Sequence, residues 1–402
     1  MAHFIVIGGG QAGASLVAKL RSSGFDGDTT LIGAEAALPY QRPPLSKAYL
    51  MGEMAEERLY LRPQSFYDDN NITLRTGTRV VEIQPQYNQV VLEAGEILSY
   101  DALALTTGSH PRSLPSAIGG MLDGVFTMRD LADADAMAPA FTSGAKVLVV
   151  GGGYIGLEAA AVAAKKGLNV TLVEMGERIL QRVAAPQTSD YVRELHRSHG
   201  VDIREGIGLE RLIGTDRVTG AVLTDGTELE LDFVIAGIGI LPASLLAESA
   251  GLTIDNGIST DEFCRTSAPG VWAAGDCASC LFEGKRIRLE SVGNAIEMAE
   301  VAAQNMLGQE VVYKPKPWFW SDQYDMKLQI AGLNTGYDTV YTRPGDKGGQ
   351  AHWYFRDDRL ISVDAMNEPR VYMVGKRLIE SGKSPDPAQL INPETDLKAL
   401  LK

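Results

Sequence analysis

The sequence predicts an α/β protein: two Rossmann-like dinucleotide-binding domains joined to a small α+β C-terminal domain with an antiparallel sheet. Three observations carry that expectation. Two glycine fingerprints, Gly8-Gly9-Gly10-Gln11-Ala12-Gly13 and Gly151-Gly152-Gly153-Tyr154-Ile155-Gly156, each follow an apolar run and open a helical pattern. An acid, Glu35 or Glu174, stands roughly 20 residues beyond each loop, where a carboxylate can accept the hydrogen bonds of an adenosine ribose. From about Lys314 the composition changes, and three of the four tryptophans, Trp318, Trp320 and Trp353, fall there.

Phe4-Ile5-Val6-Ile7 and Val147-Leu148-Val149-Val150 are apolar at successive positions, as expected of parallel strands buried on both faces. In each loop the first glycine (Gly8, Gly151) makes the tight turn, the second (Gly10, Gly153) lets backbone approach a pyrophosphate, and the third (Gly13, Gly156) lets the helix pack close on the sheet. The helix N-terminus then offers unpaired N–H groups to the phosphates. Ala14, Leu16, Val17 and Leu20, and again Leu157, Ala160, Ala161 and Ala164, recur at helical spacing. The strands Thr29 to Ile32 and Val170 to Val173 come next and lead to Glu35 and Glu174.

Asp101 to Gly108 is expected as a return strand at the edge of the first domain, ending in Thr106-Thr107-Gly108, and Leu231 to Gly239 closes the second. The short strand of Gly270 to Asp276 resumes the first domain. Its glycine lets backbone approach a polyol, and its carboxylate can accept a hydroxyl from it. Strands over Lys327 to Ala331, Ala351 to Phe355 and Leu360 to Val363, turns such as Arg356-Asp357-Asp358-Arg359, and a helix from Val371 to Glu380 fill the last part. The expected boundaries are therefore 1–110 with 244–318, 111–243, and 319–402.

At 402 residues, 45% apolar and 22% charged, the chain has the composition of a globular protein with two or three domains. Its net charge of −14 argues against nucleic acid or an anionic membrane as a partner. No apolar run is long enough to span a bilayer and no secretory leader opens the chain, so cytoplasmic residence is expected. Three cysteines fit a reducing compartment rather than a disulfide framework.

On these residues the chain resembles the two-dinucleotide-binding flavoprotein superfamily, and within it the ferredoxin reductases of bacterial oxygenase systems. The likeness is carried by both glycine loops, Arg42-Pro43-Pro44-Leu45-Ser46-Lys47, the Thr-Thr-Gly strand, Gly275-Asp276, Glu290-Ser291-Val292 and Asn294-Ala295. The resemblance implies FAD against Gly8, Gly10, Gly13, Glu35, Arg42, Lys47, Thr107, Gly108, Asp276, the Val292 backbone and Trp320. It implies NADH against Gly151, Gly153, Ile155, Gly156, Glu158, Glu174 and Gly239. Lys47 and Glu158 are then an ion pair beside the reaction, the lysine stabilising negative charge that develops on the flavin. The implied acceptor is a 2Fe-2S ferredoxin serving a thiolate-haem monooxygenase or a ring-hydroxylating dioxygenase, and the implied state is a monomer. A rubredoxin reductase, a flavin-based NADH oxidase and a non-enzymatic NADH-responsive flavoprotein are the alternatives.

Related enzymes carry a redox-active cysteine pair near positions 40 to 50 or in the nicotinamide domain. Here Leu45, Ser46 and Lys47 stand in the first place and no cysteine in the second. Cys277 and Cys280 have redox-motif spacing, yet Cys277 directly follows Asp276 and is expected at the start of a helix beside FAD, as a small buried hydrophobe. Cys264 is isolated. No metal site is expected, and His196 and His199 are assigned to a solvated helix face. Glu174 favours NADH because a carboxylate repels a 2′-phosphate, although Arg178 and Arg182 follow closely. For docking an acidic ferredoxin the basic candidates are Lys285, Arg286, Arg288, Lys314 and Lys316.

Overall fold

The computed structural model describes all 402 residues and divides the chain into two compact units. The first comprises Met1–Gln41, Ala55–His110 and Leu241–Pro317, and the second Arg42–Met54, Pro111–Ile240 and Trp318–Lys402.

In the first unit a five-stranded parallel sheet runs in the order Val271–Ala273, Ala102–Leu105, His3–Ile7, Asp28–Ile32, Ile72–Arg75. Phe4, Ile5, Val6 and Ile7 are all buried because helices cover both faces of a sheet of this kind. Ala102–Leu105 is interior rather than the expected edge strand: Val271–Ala273 pairs along its outer side, with Val271 opposite Leu103. The helix Gln11–Ser22 follows the first glycine loop and buries Leu16, Val17 and Leu20.

The second unit repeats this design. Its parallel sheet runs Asp202–Glu205, Asn169–Glu174, Lys146–Val150, Phe233–Ala236, Val125–Phe126. The helix Tyr154–Lys165 opens at Gly153, and its run Leu157 to Ala163 is buried throughout.

The C-terminal sheet is antiparallel, in the order Trp318–Gln323, Met326–Gly332, Arg359–Met366, Gln350–Arg356, Thr339–Pro344. Asp357 and Asp358, both at positive φ (49° and 60°), form the tight turn between two of its strands. A helix, Pro369–Glu380, covers the sheet with Val371, Val374 and Leu378.

Two placements differ from expectation. Arg42–Met54 belongs with the second unit because Leu50 joins the core of Met137, Phe141, Val147 and Leu157. Met326, Leu328 and Met366 enter that same core, so the C-terminal sheet and the second Rossmann sheet form one packed body. No helix is long and apolar enough to cross a membrane.

Candidate functional site

Both glycine loops show the same steric logic. A Cβ on Gly8 would lie 2.1 Å from the Thr106 carbonyl oxygen, and one on Gly13 2.0 Å from that of Gly8. On Gly151 and Gly156 the corresponding clashes are 2.5 Å with Gly237 and 2.1 Å with Gly151. Gly8 and Gly151 also hold φ of +118° and +106°, where a side chain is strained. The middle glycines differ: a Cβ on Gly10 or Gly153 meets nothing within 4 Å. Each caps its helix without a side-chain acceptor, so first-turn N–H groups face this open space. A pyrophosphate fits that arrangement at both loops, held by backbone donors and the positive helix end.

In the first unit the residues expected at FAD gather at the carboxyl ends of adjacent strands, where ligands of such sheets bind. Thr107 donates its hydroxyl to the Ala243 carbonyl at 2.7 Å, and Ser109 donates to Asp276 at 3.0 Å. Glu35 accepts from the Tyr40 hydroxyl at 2.5 Å, which fixes its carboxylate past the strand end. Val292 starts the helix Val292–Met306, capped by Ser291. Arg42, Lys47 and Trp320 belong to the second unit. Arg42 donates to the Arg129 carbonyl at 2.9 Å, while Trp320 stacks on Trp318 with centroids 5.5 Å apart.

In the second unit Glu174 is locked over the loop by two backbone donors, Gly152 N–H and Gly176 N–H, both at 2.7 Å. Ile155 is 44% exposed at the mouth of the same loop, and Gly239 accepts from the Arg112 N–H at 2.9 Å. Arg178 is turned inward onto Ser189 and the Ala184 carbonyl. Arg182 remains exposed, its Nη2 3.9 Å from where a Gly239 Cβ would stand.

Lys47 and Glu158 meet, 111 residues apart in sequence. Lys47 Nζ donates to Glu158 Oε2 at 2.5 Å; Glu158 is 3% exposed and Lys47 20%. The turn Leu45–Tyr49 that presents the lysine departs from helical geometry at Lys47 itself, and Nζ also reaches the Pro43 carbonyl at 3.3 Å. Ser46 donates to the same carboxylate oxygen at 2.9 Å, and Ser321 to Oε1 at 2.7 Å. Neither serine was predicted as a partner of Glu158. No local pattern marks them, since one lies 112 and the other 163 residues away.

Three expectations need correction. Cys277 opens no helix: Ala278–Phe282 and Lys285–Ile287 form a hairpin, turned by Glu283 and Gly284 at positive φ. All three cysteines are free and buried, and burial pushes each thiol up, away from the thiolate that redox chemistry needs. His196 is not solvated. It is fully buried on the inner face of the helix Pro186–Ser198, whereas His199 is exposed and stacks on Tyr324 at 3.7 Å. Of the basic candidates, Arg286 bonds the Ser279 carbonyl at 2.8 Å and Arg288 pairs with Glu290. Lys285, Lys314 and Lys316 are exposed.

Comparison with known proteins gives one consistent result. Residues 2–304 match the family model of pyridine nucleotide-disulphide oxidoreductases, and residues 318–401 match the reductase C-terminal model. The chain is 41% identical to the ferredoxin reductase subunit of the 5,5'-dehydrodivanillate O-demethylase of a Sphingobium strain, covering 100% of this chain and 99% of that one. It is 40% identical to putidaredoxin reductase of Pseudomonas putida, over 99% of this chain and 96% of that protein. A crystal structure of the covalent putidaredoxin reductase–putidaredoxin complex superimposes with a TM-score of 0.96 at 38% identity, over 100% of this chain and 98% of the other.

Proposed function

The chain belongs to the pyridine nucleotide-disulphide oxidoreductase family, as a reductase using a flavin and a nicotinamide nucleotide, and from that premise we propose how its residues divide the work. FAD is held in the first unit at the Gly8–Gly13 loop, by Glu35, Thr107, Gly108, Asp276 and the Val292 backbone. NADH enters at Gly151–Gly156, between Glu174 and Gly239. Electrons leave singly to a 2Fe-2S ferredoxin that serves an oxygenase.

The observation that carries this is the steric identity of the two loops: the outer glycines are closed by backbone and the middle one opens onto uncapped helix donors. Bound FAD supplies the two-electron to one-electron conversion that no side chain offers. The chain's own residues bind and orient. Glu174 accepts ribose hydroxyls and repels a 2′-phosphate, and Arg178, engaged with Ser189, does not counter it. Lys47, held by Glu158, which is 3% exposed, supplies a fixed positive charge beside the reaction. Lys285, Lys314 and Lys316 form the basic surface for an acidic partner, and the protein works in the cytoplasm.

Turnover with an acceptor panel tests the assignment. NADH oxidation should be rapid with a 2Fe-2S ferredoxin and slow with oxygen alone, and kcat/KM should favour NADH over NADPH by roughly ten-fold or more. Faster turnover with rubredoxin, or acceptor-independent oxidation, would overturn the acceptor; a preference for NADPH would overturn the role of Glu174.

A further inference from the structure

A line of buried polar side chains leads away from Glu158, on the side opposite Lys47. Ser321 lies on the strand Trp318–Gln323 of the C-terminal sheet and is fully buried, as is His196, while Gln323 is 1% exposed. Ser321 Oγ lies 2.7 Å from Glu158 Oε1, Gln323 Nε2 3.1 Å from Ser321 Oγ, and His196 Nε2 2.8 Å from Gln323 Oε1. Tyr324 closes the line, its hydroxyl 3.3 Å from His196 Nδ1.

The chemistry of the groups fixes the direction of every bond. A carboxylate only accepts, so Ser321 must give its single proton to Glu158. Its oxygen then has to accept, and only the amide nitrogen of Gln323 can donate. That turns the amide oxygen of Gln323 to His196, whose Nε2 must carry the proton. A neutral imidazole leaves Nδ1 as acceptor for the Tyr324 hydroxyl. Burial pushes His196 down to about 4, so the ring is neutral at ordinary pH, as this order requires.

We infer that Ser321 and Gln323, backed by His196, are positioning residues for the reductase reaction: they form a one-directional chain of donors that ends on Glu158 Oε1 and holds Oε2 toward Lys47. The inference rests on Lys47 and Glu158 being the working pair. Three donors to its two oxygens, from Ser46, Ser321 and Lys47, leave the carboxylate one orientation, and a rotation of Glu158 would release the lysine. The C-terminal sheet thereby acts on the ion pair through Ser321, whose hydroxyl donates to Glu158.

Single-turnover oxidation of NADH by the flavin-loaded protein tests this. Ser321→Ala should lower the limiting rate about ten-fold, with FAD content and the NADH dissociation constant unchanged, and Ser321→Thr, which keeps the hydroxyl, should restore it to within about two-fold. Gln323→Glu removes the donor and draws the serine proton away, so it should match Ser321→Ala. In the wild-type protein, 15N-histidine NMR should find His196 neutral and protonated at Nε2 over roughly pH 6 to 8, a readout independent of turnover. A wild-type rate in Ser321→Ala, a Ser321→Thr as slow as alanine, or an Nδ1–H tautomer would each overturn the inference. Lys47→Met is the control. If it turns over at the wild-type rate, the working pair falls and the inference with it; if it is slow while Ser321→Ala is not, the positioning role alone fails.

Discussion

The glycines of each loop are alike in composition and opposite in duty. Gly13 and Gly156 sit where a Cβ would overlap a carbonyl oxygen at 2.0 and 2.1 Å, so alanine there forces the helix off the sheet. Gly10 and Gly153 face open space, so alanine should cost the fold little, within about 1 kcal/mol, yet place a methyl group in the space proposed for the pyrophosphate. Gly10→Ala is therefore expected to purify folded but without flavin, and Gly153→Ala to keep its flavin while KM for NADH rises roughly ten-fold. Flavin absorbance, thermal melts and steady-state kinetics on the two variants decide this, and a Gly10→Ala that retains FAD normally removes the pyrophosphate from that loop. The steric closure at the outer glycines was legible in the sequence because it follows from backbone geometry at fixed spacing. The bonds from Ser46 and Ser321 to Glu158 were not, since they exist only once three distant segments have packed together.

At the level of elements, the helix Pro186–Ser198 and the strands Gln350–Arg356 and Arg359–Met366 enclose polar groups where apolar ones are usual. Thr188 hydrogen-bonds both His352 Nδ1 and Asp364 Oδ2 at 2.7 Å, and Tyr354 donates to the same carboxylate oxygen. Burial depresses His196 and His352 to about 4 and raises Asp364 to about 6. For each histidine the unfolded chain takes up a proton near its ordinary value of 6.5 while the folded ring resists until about 4. Their contribution is thus present above pH 6.5 and lost as the pH falls, on the order of 3 kcal/mol apiece. Asp364 works in reverse: its contribution is present below its ordinary value near 3.8 and lost as the pH rises through about 6. The histidines outweigh it, so stability should fall from pH 7 to pH 4. Urea unfolding across that range should show a flatter profile for the His196→Gln/His352→Gln protein, and parallel profiles would refute the assignment. The sequence concealed this layer because a helix whose inner face reads Thr188, Ser189, Val192 and His196 looks solvated by hydropathy alone. Only the opposing Gln323, His352 and Tyr354 show that its polar atoms have partners.

For the whole molecule the issue is how a protein of net charge −14 would receive the ferredoxin proposed as its acceptor. Local field, not net charge, governs such encounters, so what matters is which cations remain uncommitted. Of the five basic candidates, composition alone cannot separate an exposed charge from one bonded within the fold. The hairpin around Glu283 and Gly284 carries Arg286 back onto the Thr260 and Ser279 carbonyls and leaves Arg288 only 9% exposed against Glu290. Reversing those arginines would break internal bonds and confuse docking with folding. Lys285, Lys314 and Lys316 are exposed and can be reversed cleanly. The triple change to glutamate should lower kcat/KM for a 2Fe-2S ferredoxin about ten-fold at low ionic strength, and the gap should narrow as salt screens the encounter. NADH oxidation with ferricyanide, a small acceptor that bypasses docking, should stay at the wild-type rate. If the ferredoxin reaction keeps both its rate and its salt dependence, these lysines are ordinary surface charge and the dock lies elsewhere.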